Sequence, residues 1–307
     1  MSDIKLFRLT TTAATELEGE SATVEKSLQT LIERHSETFL GVTFLASEYS
    51  TGKTHAGRID TLGIDEDGCP VIIEYKRASN ENVINQGLFY LDWLLDHKAE
   101  LKLTVLEKLG KKRADEIDWS APRLICIAGD FTKYDEHAVQ QIQRNVDLIR
   151  YRHFGTDLLL FELVHTTFAE TATAKLKTKS PPAPAAPSGS KDKPFPQALK
   201  DAESPIQDLY ESARAFVMAL GDDVQEKELK LYMAYRRIKN FASMVVQKKT
   251  LQVFLKIDPT TVKCDGEFLR DMTNVGHWGT GDLLVTLRNK ADLPRAEPFI
   301  RRAYEGK

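Results

Sequence analysis

The stretch GRIDTLGIDEDGCPVIIEYK, running from Gly57 to Lys76, sets two apolar runs on either side of DEDG, a turn signal. AGRIDTLGID and PVIIEYK therefore read as adjacent strands. Glu74 and Lys76 stand two apart, and the period-2 pleat of a strand puts both side chains on one face. If DEDG closes a hairpin, Asp60 falls about opposite Glu74, so two carboxylates and an ammonium converge on one patch of sheet. Such carboxylates can share a Mg2+ or Mn2+ ion with waters and a phosphate oxygen. The cation polarises the phosphorus centre and a bound water, while Lys76 orients that water and stabilises developing charge. Hydrolysis of a phosphodiester is the reaction this chemistry points to. An exposed salt-bridge patch is the plainer alternative, but polar residues planted in VIIEYK are unexpected in a strand that helices cover.

Outward from this hairpin the pattern alternates. A helical period spans Val24 to His35, GVTFLASEYST reads as a strand, and a long helix runs from about Glu81 to His97 with a broad apolar face. RLICIAG is an apolar strand, EHAVQQIQRNV a helix, and DLIRYRHF and DLLLFELV two further strands. The order predicts an α/β fold, a mixed sheet flanked by helices, over residues 1–173. Residues 174–204, rich in Pro, Ala, Ser and Lys, read as a linker. Residues 205–307 read as a smaller α+β domain: a helix over SPIQDLYESARAFVMALG capped by its Ser and closed on Gly221, three strands around RRIKNFASMVV, TLQVFLKI and GDLLVTL, and a last helix from about Leu293 to Tyr304.

The spacing Gly57-Arg58-Ile59-Asp60, then Glu74-Tyr75-Lys76, then a helix with Gln86, Tyr90 and Trp93, resembles the PD-(D/E)XK nuclease superfamily, and within it the NucS/EndoMS-like endonuclease domain. The resemblance implies a restriction-endonuclease-like fold and a metal-dependent DNA endonuclease. It implies Asp60, Glu74, Lys76, Gln86 and, on the first helix, Glu25 as catalytic residues, with Asp60 and Glu74 as metal ligands. It also implies DNA as partner and a homodimer for cutting two strands. DNA repair or defence would suit such an enzyme. Only about twenty residues precede the first helix, where the mismatch endonucleases of this family carry a further domain, so mismatch specificity is not implied. YRRIKNF, KIDPTTVK and NVGHWGTGDLLVTL resemble the DUF5655 family, which brings no mechanism.

Charge qualifies this reading. Residues 1–173 hold 19 Lys and Arg against 28 Asp and Glu, whereas residues 205–307 hold 17 against 14. Phosphate neutralisation supplies most non-specific DNA affinity, so an acidic first domain needs help from the basic half or from a protein partner engaged there. It also keeps open a second reading, a catalytically inactive nucleic-acid-binding or adaptor protein on a nuclease-like fold. Lys53, Arg58, Tyr90, Arg236, Arg237 and Lys239 are the candidate nucleic-acid contacts. The last three sit in a basic stretch interleaved with Tyr232, Tyr235 and Phe241, a pattern that can pair phosphates and stack bases. STGKT lacks the glycine of a phosphate-binding loop, because Ser47 stands in its place. Cys69, Cys126 and Cys264 have neither disulfide nor zinc spacing. Without an apolar leader or a membrane-length apolar run, a cytoplasmic protein is expected. In NVGHWGTGD, His277 and Trp278 lie between glycines and read as a turn carrying one packed tryptophan.

Overall fold

The computed structural model describes residues 4–20, 25–52, 56–76, 83–167 and 193–307, and the chain divides into two compact units, 1–171 and 172–307. The first unit contains strands β1 (Leu6–Leu9), β2 (Ala14–Leu17), β3 (Gly19–Glu20), β4 (Val42–Ser50), β5 (Arg58–Asp65), β6 (Pro70–Lys76), β7 (Arg123–Ala128), β8 (Asn145–Phe154) and β9 (Leu158–Thr167). Its helices are α1 (Glu25–Arg34), α2 (Ser36–Leu40), α3 (Val83–Asp96), α4 (Lys98–Leu109), α5 (Lys111–Asp115) and α6 (Lys133–Gln140). Seven strands make one mixed sheet. β4, β5 and β6 are antiparallel neighbours, β6, β7 and β8 run parallel, β9 returns antiparallel to β8, and short β3 pairs with the end of β8.

This is the expected α/β architecture, and its centre follows from burial. Every residue of β7 is buried, as are Pro70 to Tyr75 of β6, which suits strands covered on both faces. Leu62, Ile64, Ile72, Leu124 and Cys126 share one core with Leu91 and Leu94 of α3, Leu101 and Val105 of α4 and Val139 of α6. Gly87 lets α3 sit close: a Cβ there would come 2.5 Å from Leu124 Cδ1. Helix α6 starts on a capping box in which Thr132 and Asp135 satisfy each other's amides. The hairpin β1–β2 and helices α2, α4 and α5 add to the elements expected from the sequence. They are short or weakly periodic, so hydrophobic spacing gives little signal for them.

The second unit contains α7 (Phe195–Asp201), α8 (Ser204–Met218), β10 (Gln225–Glu228), β11 (Met233–Arg236), β12 (Asn240–Val246), β13 (Leu251–Leu255), β14 (Leu269–Asp271), β15 (Leu283–Leu287) and α9 (Asp292–Glu305). Its sheet is antiparallel throughout, in the order β10-β11-β12-β13-β15-β14. One face packs on α7, α8 and α9, through Phe195, Leu209, Ala213, Val253, Val285 and Ile300 among others. The stretch read as linker is thus shorter than its composition implies: Phe195 is only 2% exposed and belongs to this core. Two capping expectations are also corrected. Ser204 is the first residue inside α8, after Glu203 and before Pro205, and the helix ends at Met218, short of Gly221. RRIKNFASMVV is not one strand but the end of β11, a turn and β12.

Candidate functional site

β5 and β6 meet in register, with Thr61 opposite Ile73 and Leu62 opposite Ile72. One step further along the pair stand Asp60 and Glu74. The Asp60 amide donates to Glu74 Oε1 at 3.1 Å, and the Tyr75 amide donates to Asp60 Oδ2 at 3.1 Å. Each carboxylate therefore grips the neighbouring strand's backbone, which holds both acids at one place on the sheet. Glu74 is fully buried, with Cys126 of β7 beside it in register, whereas Asp60 and Lys76 are half-buried. The pleat puts Lys76 on the face of Glu74 and Ile72, the side that α3 covers.

The opposite face is built around Tyr75. Its hydroxyl donates to Thr61 Oγ1 at 3.1 Å, and Thr61 donates to Glu33 Oε1 of α1 at 2.7 Å. Burial pushes the Tyr75 phenol well above its ordinary range, and the carboxylates of Glu33, Asp60 and Glu74 add to this. Burial, then the Glu74 charge, does the same to the Cys126 thiol. Both groups are neutral hydrogen-bonding or packing members of the site.

Helix α1 supplies residues that the sequence reading passed over. Gln29, 4% exposed, donates from Nε2 to the Asp60 carbonyl at 2.8 Å, to Ser47 Oγ at 3.2 Å and to Glu33 Oε1 at 2.9 Å. Gln29 and Glu33 follow Glu25 at i+4 and i+8, on one side of the helix. Polar residues directly beside the core positions Leu28 and Ile32 were the available signal. Glu48 of β4 adopts φ 53°, rare for a side chain other than glycine. Its carboxylate takes Lys26 at 2.7 Å and Arg58 at 2.5 Å. The Lys26 hydrogen bond, with Arg58 beside it, holds the Glu48 carboxyl below the usual carboxylate range.

The other expected residues are distributed as follows. Tyr90 is buried and its hydroxyl accepts the Arg58 amide at 3.1 Å and the Gln86 Nε2 at 3.3 Å, so both α3 residues reach the start of β5. Gly57 makes room for that ring, since a Cβ there would lie 2.5 Å from Tyr90 Cε1. Tyr90 is accordingly a packed, bonded residue, not an open contact for nucleic acid. Trp93 is core, stacked on His97 at 4.6 Å. Arg58 is exposed and pairs with Glu48. Glu25 opens α1, but its side chain, like Lys53, lies outside the described residues.

Two hard oxygen donors on neighbouring strands suit a small divalent cation, which keeps most of its ligands as water and substrate oxygen. Among the described residues no group of three or more His, Cys, Asp or Glu side chains gathers as a fuller cage.

In the second unit the basic and aromatic stretch comes apart. Arg236 is 1% exposed, with Nε donating to Gln225 at 3.0 Å, and so is not a surface phosphate contact. Tyr235 of β11 and Phe241 of β12 belong to the helix-packed core, and Tyr232, just before β11, is buried as well. Arg237 pairs with Asp223 and lies 4.9 Å over the Tyr304 ring, and Lys239 is half-buried. Trp278 is 47% exposed, not packed as the sequence reading had it.

Comparison with known proteins bears unequally on the two units. The family described as a domain of unknown function (DUF5655) matches residues 197–307, from within α7 to the end of the sequence. An uncharacterized protein of Haemophilus influenzae (strain ATCC 51907 / DSM 11121 / KW20 / Rd) is 27% identical over 316 residues, covering 98% of this chain and 100% of the relative. Among solved structures, a repair endonuclease from Pyrococcus abyssi matches 43% of this chain and 48% of its own at 18% identity, with a TM-score of 0.28. An EndoMS complex with double-stranded DNA matches 43% of this chain and 47% of its own at 21% identity, with a TM-score of 0.25. The chain thus spans about half the length of the solved chains it matches. No helix among the described residues is long and apolar enough to cross a membrane.

Proposed function

We propose that the first unit is a Mg2+- or Mn2+-dependent DNA endonuclease of the PD-(D/E)XK kind. One observation carries the reading: Asp60 and Glu74 meet across β5 and β6, linked through each other's backbone, with Lys76 two residues on along the same pleat. A fully buried carboxylate, Glu74, is costly, and its meeting with half-buried Asp60 and Lys76 is best accounted for by chemistry done there. Asp60 and Glu74 would hold the cation through carboxylate oxygens. When bound, it would supply Lewis-acid polarisation of the scissile phosphate and of a water. Lys76 places an ammonium beside the developing negative charge and orients the attacking water. Gln86 and Tyr90 position the start of β5, and Glu25 completes the acidic side.

The test is cleavage of plasmid, single-stranded, mismatched and branched DNA with Mg2+ or Mn2+, beside Asp60→Asn and Lys76→Ala. Wild-type cutting that both variants lose is the expected result; equal inertness of all three on every substrate overturns it. The net acidity of residues 1–173, with 28 Asp and Glu against 19 Lys and Arg, favours a second reading in which the fold binds or adapts without turnover. That reading requires DNA or partner binding by wild type and variants alike. Action as a homodimer belongs to the first reading, and a protein partner engaged by the second unit is compatible with either.

A further inference from the structure

The second unit's sheet has a face that α7, α8 and α9 do not cover. Ser243, Phe254, Leu284 and Arg270 line up across β12, β13, β15 and β14 in register, all pointing away from the helix-packed core. The loop after β14 folds back over part of this row. Thr280 donates from its amide to Ser243 Oγ at 3.0 Å, and Gly279 passes so close that a Cβ would come 2.6 Å from Ser243 Cβ. His277 lies flat on Phe254, ring centres 4.6 Å apart and planes 3° from parallel. Its nitrogens lie 2.7 Å from the Val275 carbonyl oxygen and 3.0 Å from that of Gly281, which fixes the loop. The next residue, Trp278, is held out at 47% exposure.

Beside it lies a groove of about 740 Å³, with Phe254, Met272 and Leu284 as its apolar floor. Exposed cations ring it: Arg270, Lys248 and Lys193, against Asp201, which Lys193 already engages at 2.5 Å. An exposed indole next to the anchored His277, beside an apolar floor with a cationic rim, matches a ligand that is flat, apolar on its faces and polyanionic at its edge. That is the chemistry of stacked bases on a phosphate backbone; an acidic peptide would satisfy the rim but not the floor.

We propose that this face is a platform for single-stranded nucleic acid, with Trp278 stacking a base and Arg270 and Lys248 taking the adjoining phosphates. It rests on the nuclease reading only in that it would supply the phosphate affinity an acidic first unit lacks.

The measurement is fluorescence anisotropy of a labelled oligothymidylate of ~15 nucleotides with the full chain in EDTA, where no metal-dependent cutting occurs. Trp278→Ala is expected to weaken binding about tenfold or more, and Trp278→Phe to keep most of it. Lys248→Ala with Arg270→Ala should flatten the dependence of log affinity on log salt by roughly 1 to 2. Binding unchanged in all these variants overturns the platform, as does no binding by wild type. Preference for a labelled polyglutamate peptide, lost in the same variants, also overturns it. Cutting without single-strand binding removes this proposal alone; single-strand binding without cutting removes the nuclease reading alone.

Discussion

The Gln29 side-chain amide donates at 2.8 Å to the main-chain carbonyl of Asp60, and so ties the first long helix to the strand bearing one of the two central acids. The same nitrogen meets Ser47 and Glu33, so one buried amide spans α1, β4 and β5. Gln29→Ala leaves polar groups on both strands without this donor, at about 1–3 kcal/mol. Chemical denaturation should show the loss as a lower midpoint at constant slope, and Gln29→Met, which fills the space without donating, should lose nearly as much.

The opposed acids carry their own signature in stability. Two carboxylates held close on a buried strand pair repel each other, and neutralising one relieves that. Glu74→Gln is therefore expected to raise stability in EDTA by about 1 kcal/mol while abolishing activity. Added Mg2+ should stabilise wild type by mass action, about 1.4 kcal/mol at ten times the dissociation constant, and leave Glu74→Gln unmoved. Thermal melts with and without the cation check both halves.

Acid should loosen the corner where Glu48 sits. Its carboxyl titrates below the ordinary 4.5 because Lys26 and Arg58 bind the charged form. A depressed folded-state value means the contribution is complete above about pH 4.5 and fades as pH falls through that lower value. Lys26→Met should move the Glu48 titration, followed by carboxyl NMR, back up toward 4.5 and make the stability loss below about pH 4.5 shallower.

Phe195 tests where the second unit begins. The ring is buried against Tyr210, with centres 5.5 Å apart. Phe195→Ala should cost that unit about 3–5 kcal/mol, far more than any change in a true linker. A fall in the second unit's melting transition with the first unit's unchanged is the expected calorimetric result.

The legible parts of this molecule are those where burial and periodicity agree. The strand PVIIEYK, the turn at DEDG and the opposition of Asp60 to Glu74 could be read from residue spacing alone, because a pleat has only two faces and a tight turn fixes register. Phe195 was not legible: one aromatic amid Pro, Lys and Ala carries no period, and only the tertiary core reveals its place. Arg236 misled for a related reason. A charged residue in a run of basic ones reads as surface, yet Arg236 is buried beside its cross-strand partner Gln225, which takes its Nε. Gln29 shows only as a polar residue beside the core positions Leu28 and Ile32, because its tie to β5 runs to a backbone carbonyl, which no side-chain pattern encodes.

The short path between Asp60 and Glu74 also bears on the order of assembly. They sit on one hairpin, whose ends meet without waiting for any distant segment, whereas β7 must cross over through α3, α4 and α5 before it can pair alongside Glu74. Hairpins close in microseconds, and parallel pairing is slower because a long loop must first be closed. The two acids should thus come together while still hydrated, with the burial of Glu74 left to the later step, when β7 arrives. Slow folding phases should accordingly respond to changes in β7 and α3, and hardly at all to changes in the turn.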